Sequence, residues 1–356
     1  MASSVHRRPG QLLFCGFEGT TMPDDIARLI SAGRLGGVIL FARNIEGLAQ
    51  LRKLSASLHD AAPEGAPLLI GIDQEGGRVQ RLREPWTLWP PMRRVGGLDD
   101  LGVTAEVAAA LARELLDVGI ALDFAPCVDV DTNPDNPVIG DRSFSRDAAR
   151  VADHARHFIV AMQLAGVAAC AKHFPGHGDT ACDSHFELPR VGCDLQRLRE
   201  VELPPFRAAV EAGVASVMTA HVSFPALDGD RPATLSPPIM AICREELGYD
   251  GVVFSDDLEM KAVADRYSPE ELVSGALESH VDAFLVCKDA ALRDRVLAQL
   301  EHEPAERLAE PLRRVAALKQ RYAPAGRAAV RAPAVSAPPP YPKHQQLAER
   351  LRGPRT

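Results

Sequence analysis

PLLIGIDQEGGRVQRLR, residues 67–83, starts as an unbroken apolar run and ends in charge. An apolar run without alternation reads as a strand buried on both faces, the signature of a parallel sheet covered by helices. The polar residues that follow, Asp73, Glu75, Arg78 and Arg81, stand where that strand would end. Working outward, the same arrangement recurs seven more times, with apolar runs at 11–16, 37–42, 121–128, 167–173, 215–221, 251–256 and 282–287. Amphipathic stretches separate most of them, at 24–32, 46–59, 104–118, 146–164, 194–211, 238–247 and 269–279, with further helical patterns at 290–300 and 305–321. Eight βα units over about 280 residues predict the α/β class and a (β/α)8 TIM barrel. The alternative is an open doubly wound sheet, but no GxGxxG opens the first helix.

The barrel is expected to occupy residues 1–322 as one domain. From 323 to 342 the chain turns Ala/Pro-rich, which predicts an extended tail over 323–356 with a short charged helix at 343–352. Hydrophobic residues make up 46% of the 356 and charged residues 25%, values of an ordinary globular protein. Forty Lys and Arg against forty-eight Asp and Glu leave a net charge of -8, which argues against a nucleic-acid or anionic-membrane partner. A small neutral or cationic ligand is the expected partner, and the chain is read as a monomer. No run approaches the roughly 18–20 uncharged apolar residues of a membrane span. Near the N-terminus the apolar run is only Leu12 to Phe14, so no export signal is read and a cytoplasmic location is expected. The seven cysteines are odd in number, form no CxxC and mostly sit in apolar runs, as reduced buried thiols do.

The charged residues gather at the strand ends. Asp129, Asp131 and Arg142 follow the fourth strand; Lys172, His173, His177, Asp179, Asp183 and His185 follow the fifth; His221 ends the sixth, and Asp256 and Asp257 end the seventh. If wet loops alone explained this, the strand starts would be equally charged, whereas they mostly follow Gly or Ala. In a barrel these ends converge on one mouth, where such enzymes hold their sites.

Three histidines and two aspartates within residues 173–185 raise a metal reading, since imidazole and carboxylate suit zinc or iron. The spacings match no HExxH or HxH pair. The competing reading is acid/base work: Asp183 and His185 are two apart, and in extended chain they share a face, so the carboxylate orients the imidazole. Asp256 ends an apolar run and would be held rigidly toward the mouth, with Asp257 pointing the other way. A rigid carboxylate opposite a proton donor suits displacement at a glycosidic carbon. Trp86 and Trp89 fit either stacking on a sugar or pinning a Pro-rich loop, and His221 fits either pocket or core. His154 and His157 are given no role.

IDQEGGRVQR, FAPCVDVD with VIGDRSF, KHFPGHGDT with DSH, and FSDDLEM, in that order, resemble the family 3 glycoside hydrolases. With LGGVILFARN at 35–44, they resemble most the single-domain bacterial β-N-acetylglucosaminidases of peptidoglycan recycling. The resemblance spans about residues 11–290. It implies that Asp256 is the nucleophile, His185 the general acid/base and Asp183 its partner, and that Asp73, Arg81, Arg142, Lys172 and His173 bind N-acetylglucosamine. It also implies no metal and no cofactor, and no second αβα domain is expected. The activity implied is that of a retaining exo-β-N-acetylglucosaminidase acting on anhydro-muropeptides. Two alternatives stay open: a phosphorylase, because a histidine acid/base does not repel a phosphate dianion, and a non-catalytic muropeptide-binding barrel.

Overall fold

The computed structural model describes residues 8–184, 187–332 and 338–352. Eight parallel strands close into a barrel: β1 (Leu13–Cys15), β2 (Gly37–Leu40), β3 (Leu69–Ile72), β4 (Leu122–Asp123), β5 (Ala168–Phe174), β6 (Ser216–Thr219), β7 (Val252–Asp257) and β8 (Ala283–Val286). Each pairs with the next, and Leu13 opposite Phe284 closes the ring. The eight expected runs therefore all become strands of one barrel. β4 is much shorter than the apolar run that announces it. Pro126 has no N–H to donate, so the ladder stops and resumes only as a bridge between Cys127 and Lys172.

Helices α1 (Asp24–Ser31), α2 (Leu48–Ala61), α3 (Leu101–Leu116), α4 (Ala148–Leu164), α5 (Leu203–Glu211), α6 (Pro237–Ala241), α7 (Pro269–Glu278) and α8 (Ala290–His302) follow the strands in turn. Their starts are chemically marked. Asp100 caps α3 through Gly102 N and Val103 N, and Ser268 with Glu271 forms a capping box on α7, whose first residue is proline. Inside the barrel, Phe254 meets the rings of Phe14 and Phe124 edge-on, at 4.9 and 5.5 Å between centroids. Gly37 on β2 makes room for this cluster, since a Cβ there would lie 2.2 Å from the Phe14 ring. No described helix is long and apolar enough to cross a membrane.

The C-terminal region departs from expectation. The extended tail predicted from residue 323 is instead helical to Arg331, within the long α9 (Ala305–Arg331), despite Pro324 in its interior. Packing outweighs the proline: Leu318, Tyr322, Ala323 and Gly326 are buried against the barrel. Arg52 caps the far end, donating to the carbonyls of Ala329 at 3.2 Å and Ala332 at 3.1 Å. The short charged helix is present as α10 (Pro342–Arg352), and it is docked rather than loose. Leu347, Ala348 and Leu351 are buried, the Tyr341 hydroxyl donates to Asp117 at 2.9 Å, and His344 Nδ1 meets Glu114 at 2.7 Å.

Candidate active site

At the C-terminal mouth of the barrel lies a cavity of about 200 Å³. Asp73, Arg81, Arg142, Lys172, His173 and Asp256 line it together, although they come from β3, the hairpin after it, the loop after β4, β5 and β7. Lys172 is at its centre. Its ammonium donates to Asp73 Oδ1 at 2.8 Å and reaches Glu75 Oε1 at 2.7 Å. Arg142 grips the same Glu75 with two parallel bonds, Nε to Oε2 at 2.8 Å and Nη2 to Oε1 at 2.7 Å. Arg81 reaches the other oxygen of Asp73 at 3.4 Å.

Burial alone would raise the Asp73 and Glu75 carboxyls. The cations beside them outweigh it, so both titrate below the ordinary range. Lys172 and Arg142 are held above theirs, burial being outweighed by Asp73 and Glu75 for the first and by Glu75 for the second. All four stay charged at neutral pH.

Asp129 organises the histidines. It accepts from His173 Nδ1 at 2.7 Å and from the backbone N–H of His177 at 2.7 Å. Burial would raise its carboxyl, but His173 and the bonds it accepts bring it down to about 2. With Nδ1–H committed, His173 presents Nε2 to the cavity, 3.5 Å from Arg142. His177 is buried and pushed down to about 4, first by desolvation and then by His173, so it is neutral. Its ring contacts Thr180 and Ser184. The loop beyond it is fastened by Asn136, which donates to the carbonyls of His177 and Gly178 at 2.8 and 3.0 Å. A Cβ on Gly178 would sit 1.7 Å from the Val130 carbonyl oxygen, so the glycine serves a close backbone approach.

Asp256 closes the cavity from β7. Its Oδ1 accepts the Asp257 N–H at 2.8 Å, and among the described residues it has no ion-pair partner. Asp257 differs. Its Oδ1 accepts from Glu259 N at 3.1 Å and Cys287 N at 3.3 Å, and burial, then Glu259, pushes it up to about 7. It nevertheless also borders the cavity, where the alternation of a strand had placed it on the opposite side. His221 stands behind this end, with Nε2 donating to the Asp257 carbonyl at 3.2 Å and Nδ1 on Thr234 at 2.8 Å. It braces the strand and is absent from the cavity lining.

His185 lies outside the described residues. Asp183 does not line the cavity; its carbonyl accepts Glu187 N at 3.3 Å, and the adjacent Ser184 does line it. Trp86 and Trp89 are buried at 2% and 3% exposure away from the cavity, so they pack a loop and do not face a sugar. Among the described residues one group has metal-ligand atoms close together, Cys127, Asp129 and His173, within 4.8 Å. Asp129 already accepts from both of the others, the Cys127 thiol at 3.3 Å. Glu75 and Asp129 had drawn notice only as charges at strand ends. Their roles as the shared anchors of Lys172 with Arg142 and of His173 with His177 depend on partners distant in sequence, 67 residues from Glu75 to Arg142 and 44 and 48 from Asp129 to His173 and His177.

The sequence profile of the glycosyl hydrolase family 3 N-terminal domain matches residues 4–318. The chain belongs to this family. It is accordingly a glycoside hydrolase. The protein named β-hexosaminidase of Thiobacillus denitrificans is 43% identical over 290 residues, 80% of each chain. That of Nitrosomonas eutropha is 38% identical over 82% of this chain and 84% of its own. Among solved structures, a family 3 β-N-acetylglucosaminidase from Paenibacillus sp. str. FPU-7 is similar with TM-score 0.91 and 40% identity, over 99% of this chain and 68% of that one. NagZ from Neisseria gonorrhoeae, solved in complex with N-trifluoroacetyl-D-glucosamine, is similar with TM-score 0.82 and 31% identity, over 98% and 99%.

Proposed function

We propose that this hydrolase removes terminal β-linked N-acetylglucosamine from peptidoglycan fragments, anhydro-muropeptides in particular, by double displacement with retention. One observation carries the reading. The cavity holds three cations, Arg81, Lys172 and Arg142, that pair with Asp73 and Glu75, while Asp129 is committed to His173. Of the two carboxylates that end β7, Asp257 Oδ1 is tied down by the N–H groups of Glu259 and Cys287, whereas Asp256 accepts only its neighbour's N–H and has no ion pair among the described residues. That carboxylate is available to attack an anomeric carbon, and its own negative charge favours the oxocarbenium character of the transition state.

In this reading Asp256 forms the glycosyl ester while His185, oriented by Asp183, protonates the leaving oxygen and then activates water. Asp73, Arg81, Arg142, Lys172 and His173 hold the sugar. Being already bonded to one another, they are preorganised and lose little freedom on binding. The relatives named β-hexosaminidase and the NagZ neighbour support the choice of an N-acetylated hexosamine. The chain would act as a cytoplasmic monomer in cell-wall recycling, as its sequence family suggests.

The decisive experiment is incubation with a 5-fluoro N-acetylglucosaminyl fluoride, which keeps the 2-acetamido group, followed by peptide mapping. Labelling of the peptide at Asp256 supports the reading, and labelling at Asp257 overturns the nucleophile. Product analysis with and without inorganic phosphate separates hydrolysis from phosphorolysis.

A further inference from the structure

At the opposite end of the barrel a buried lysine has no carboxylate beside it among the described residues. Lys319, on α9, is 2% exposed and borders a small cavity with Gln11, Ala66, Pro67, Leu312 and Val315. An ammonium carries three donors, yet among the described residues its one hydrogen-bond partner is Gln11 Oε1. Gln11 cannot rotate to offer more, because its Nε2 donates to the carbonyls of Gly33 at 2.9 Å and Leu35 at 2.7 Å. Among the described residues the charged side chain that acts on Lys319 is another cation, Arg8, whose Nη1 is buried and has no hydrogen-bond partner there. An isolated buried cation is costly, and two without a counter-ion are more so. Desolvation, then Arg8, brings the Lys319 amine down to about 7, so a large share of it is neutral at physiological pH.

We propose that Lys319 is a carbamylation site, whose amine takes up CO2 to give a buried N-carboxylysine. The Nζ lone pair forms a bond to the carbon of CO2, one C=O pair moves onto oxygen, and the nitrogen releases one proton to water. Nothing is oxidised or reduced. CO2 is uncharged and small, so it enters an apolar cavity that would resist an anion and is too tight for a sugar aldehyde. The product fits the surroundings better than the ammonium does. It keeps a single N–H for the single acceptor, Gln11 Oε1, and turns a cation without a counter-ion among the described residues into an anion that the Arg8 guanidinium attracts. The site is remote from the catalytic mouth, so its effect falls on stability and leaves turnover unchanged.

The test is to equilibrate the full chain with 13C-labelled CO2 and bicarbonate at constant pH and record the 13C spectrum. A carbamate resonance present in the wild type and lost in Lys319→Met is expected, with a thermal midpoint that rises with dissolved CO2 only in the wild type. Because the variant could fold poorly, the carbamate is also trapped by alkylation in the unaltered protein and located by peptide mapping. Modification on the Lys319 peptide supports the proposal. No carbamate, or one confined to the N-terminal amine, overturns it.

Discussion

Lys172 Nζ stands 2.7 Å from Glu75 Oε1, and both side chains are only 3% exposed. Because the same Glu75 also holds Arg142 in a two-pronged grip, one carboxylate sets the spacing of two cations that line the cavity. Replacing Glu75 by Gln keeps the shape and removes the charge. Leaving buried cations under-compensated costs about 3–5 kcal/mol, so Glu75→Gln should lower the denaturation midpoint clearly. It should also lower kcat/KM about tenfold or more, the equivalent of roughly 1.4 kcal/mol of misplaced binding. Unchanged kinetics in a folded variant would show that Glu75 positions nothing.

Acid stability should be governed in part by His177. Its pKa is about 4 in the fold and about 6.5 when unfolded, so between those values the unfolded chain binds the extra proton. Its contribution is therefore complete above about 6.5 and is lost as pH falls through 4. Asp123 has the opposite sign. It is buried with Oδ2 unpartnered, and burial pushes it up to about 8, so its contribution is lost as pH rises from about 4 to 8. Denaturant midpoints across this range should show a smaller acid loss in His177→Asn and a smaller alkaline loss in Asp123→Asn. Curves parallel to wild type would refute both.

If His185 donates the proton, its removal must hurt most where the leaving oxygen is most basic. His185→Ala should cost about 10²–10⁴-fold on a muropeptide and far less in glycosylation by a nitrophenyl glycoside. Asp183→Ala should follow the same pattern more mildly. Equal losses on both substrates would assign the proton to another group.

Prolonged treatment with EDTA or phenanthroline should leave turnover unchanged, since the Cys127, Asp129 and His173 donors are already bonded among themselves. Loss of activity restored by zinc would revive a metal role.

Helix α10 should contribute to the fold and not to the reaction. Leu347 is 3% exposed, and truncating such a leucine costs about 2–5 kcal/mol. Leu347→Ala should lower stability by that order with kcat on an aryl glycoside unchanged. No change in the denaturation midpoint would mean that the docked helix is a passive appendage.

What local chemistry could decide, it decided. Unbroken apolar runs such as 251–256 have to be buried on both faces, and eight of them separated by amphipathic helices leave little choice but a closed parallel barrel. The same runs end in charge, which is why Asp73, Lys172 and Asp256 were legible as mouth residues. The tertiary structure decided what depends on neighbours distant in the chain. That Glu75 serves both Lys172 and Arg142, that Asp129 binds two histidines, and that His221 braces β7 instead of lining the cavity follow from which strand ends become adjacent on closure. The C-terminal stretch makes the same point from the other side. Its Ala/Pro composition favours extension locally, but the surface of α2 and α3, with Arg52, Glu114 and Asp117 waiting as caps and acceptors, stabilises a helix that composition alone does not.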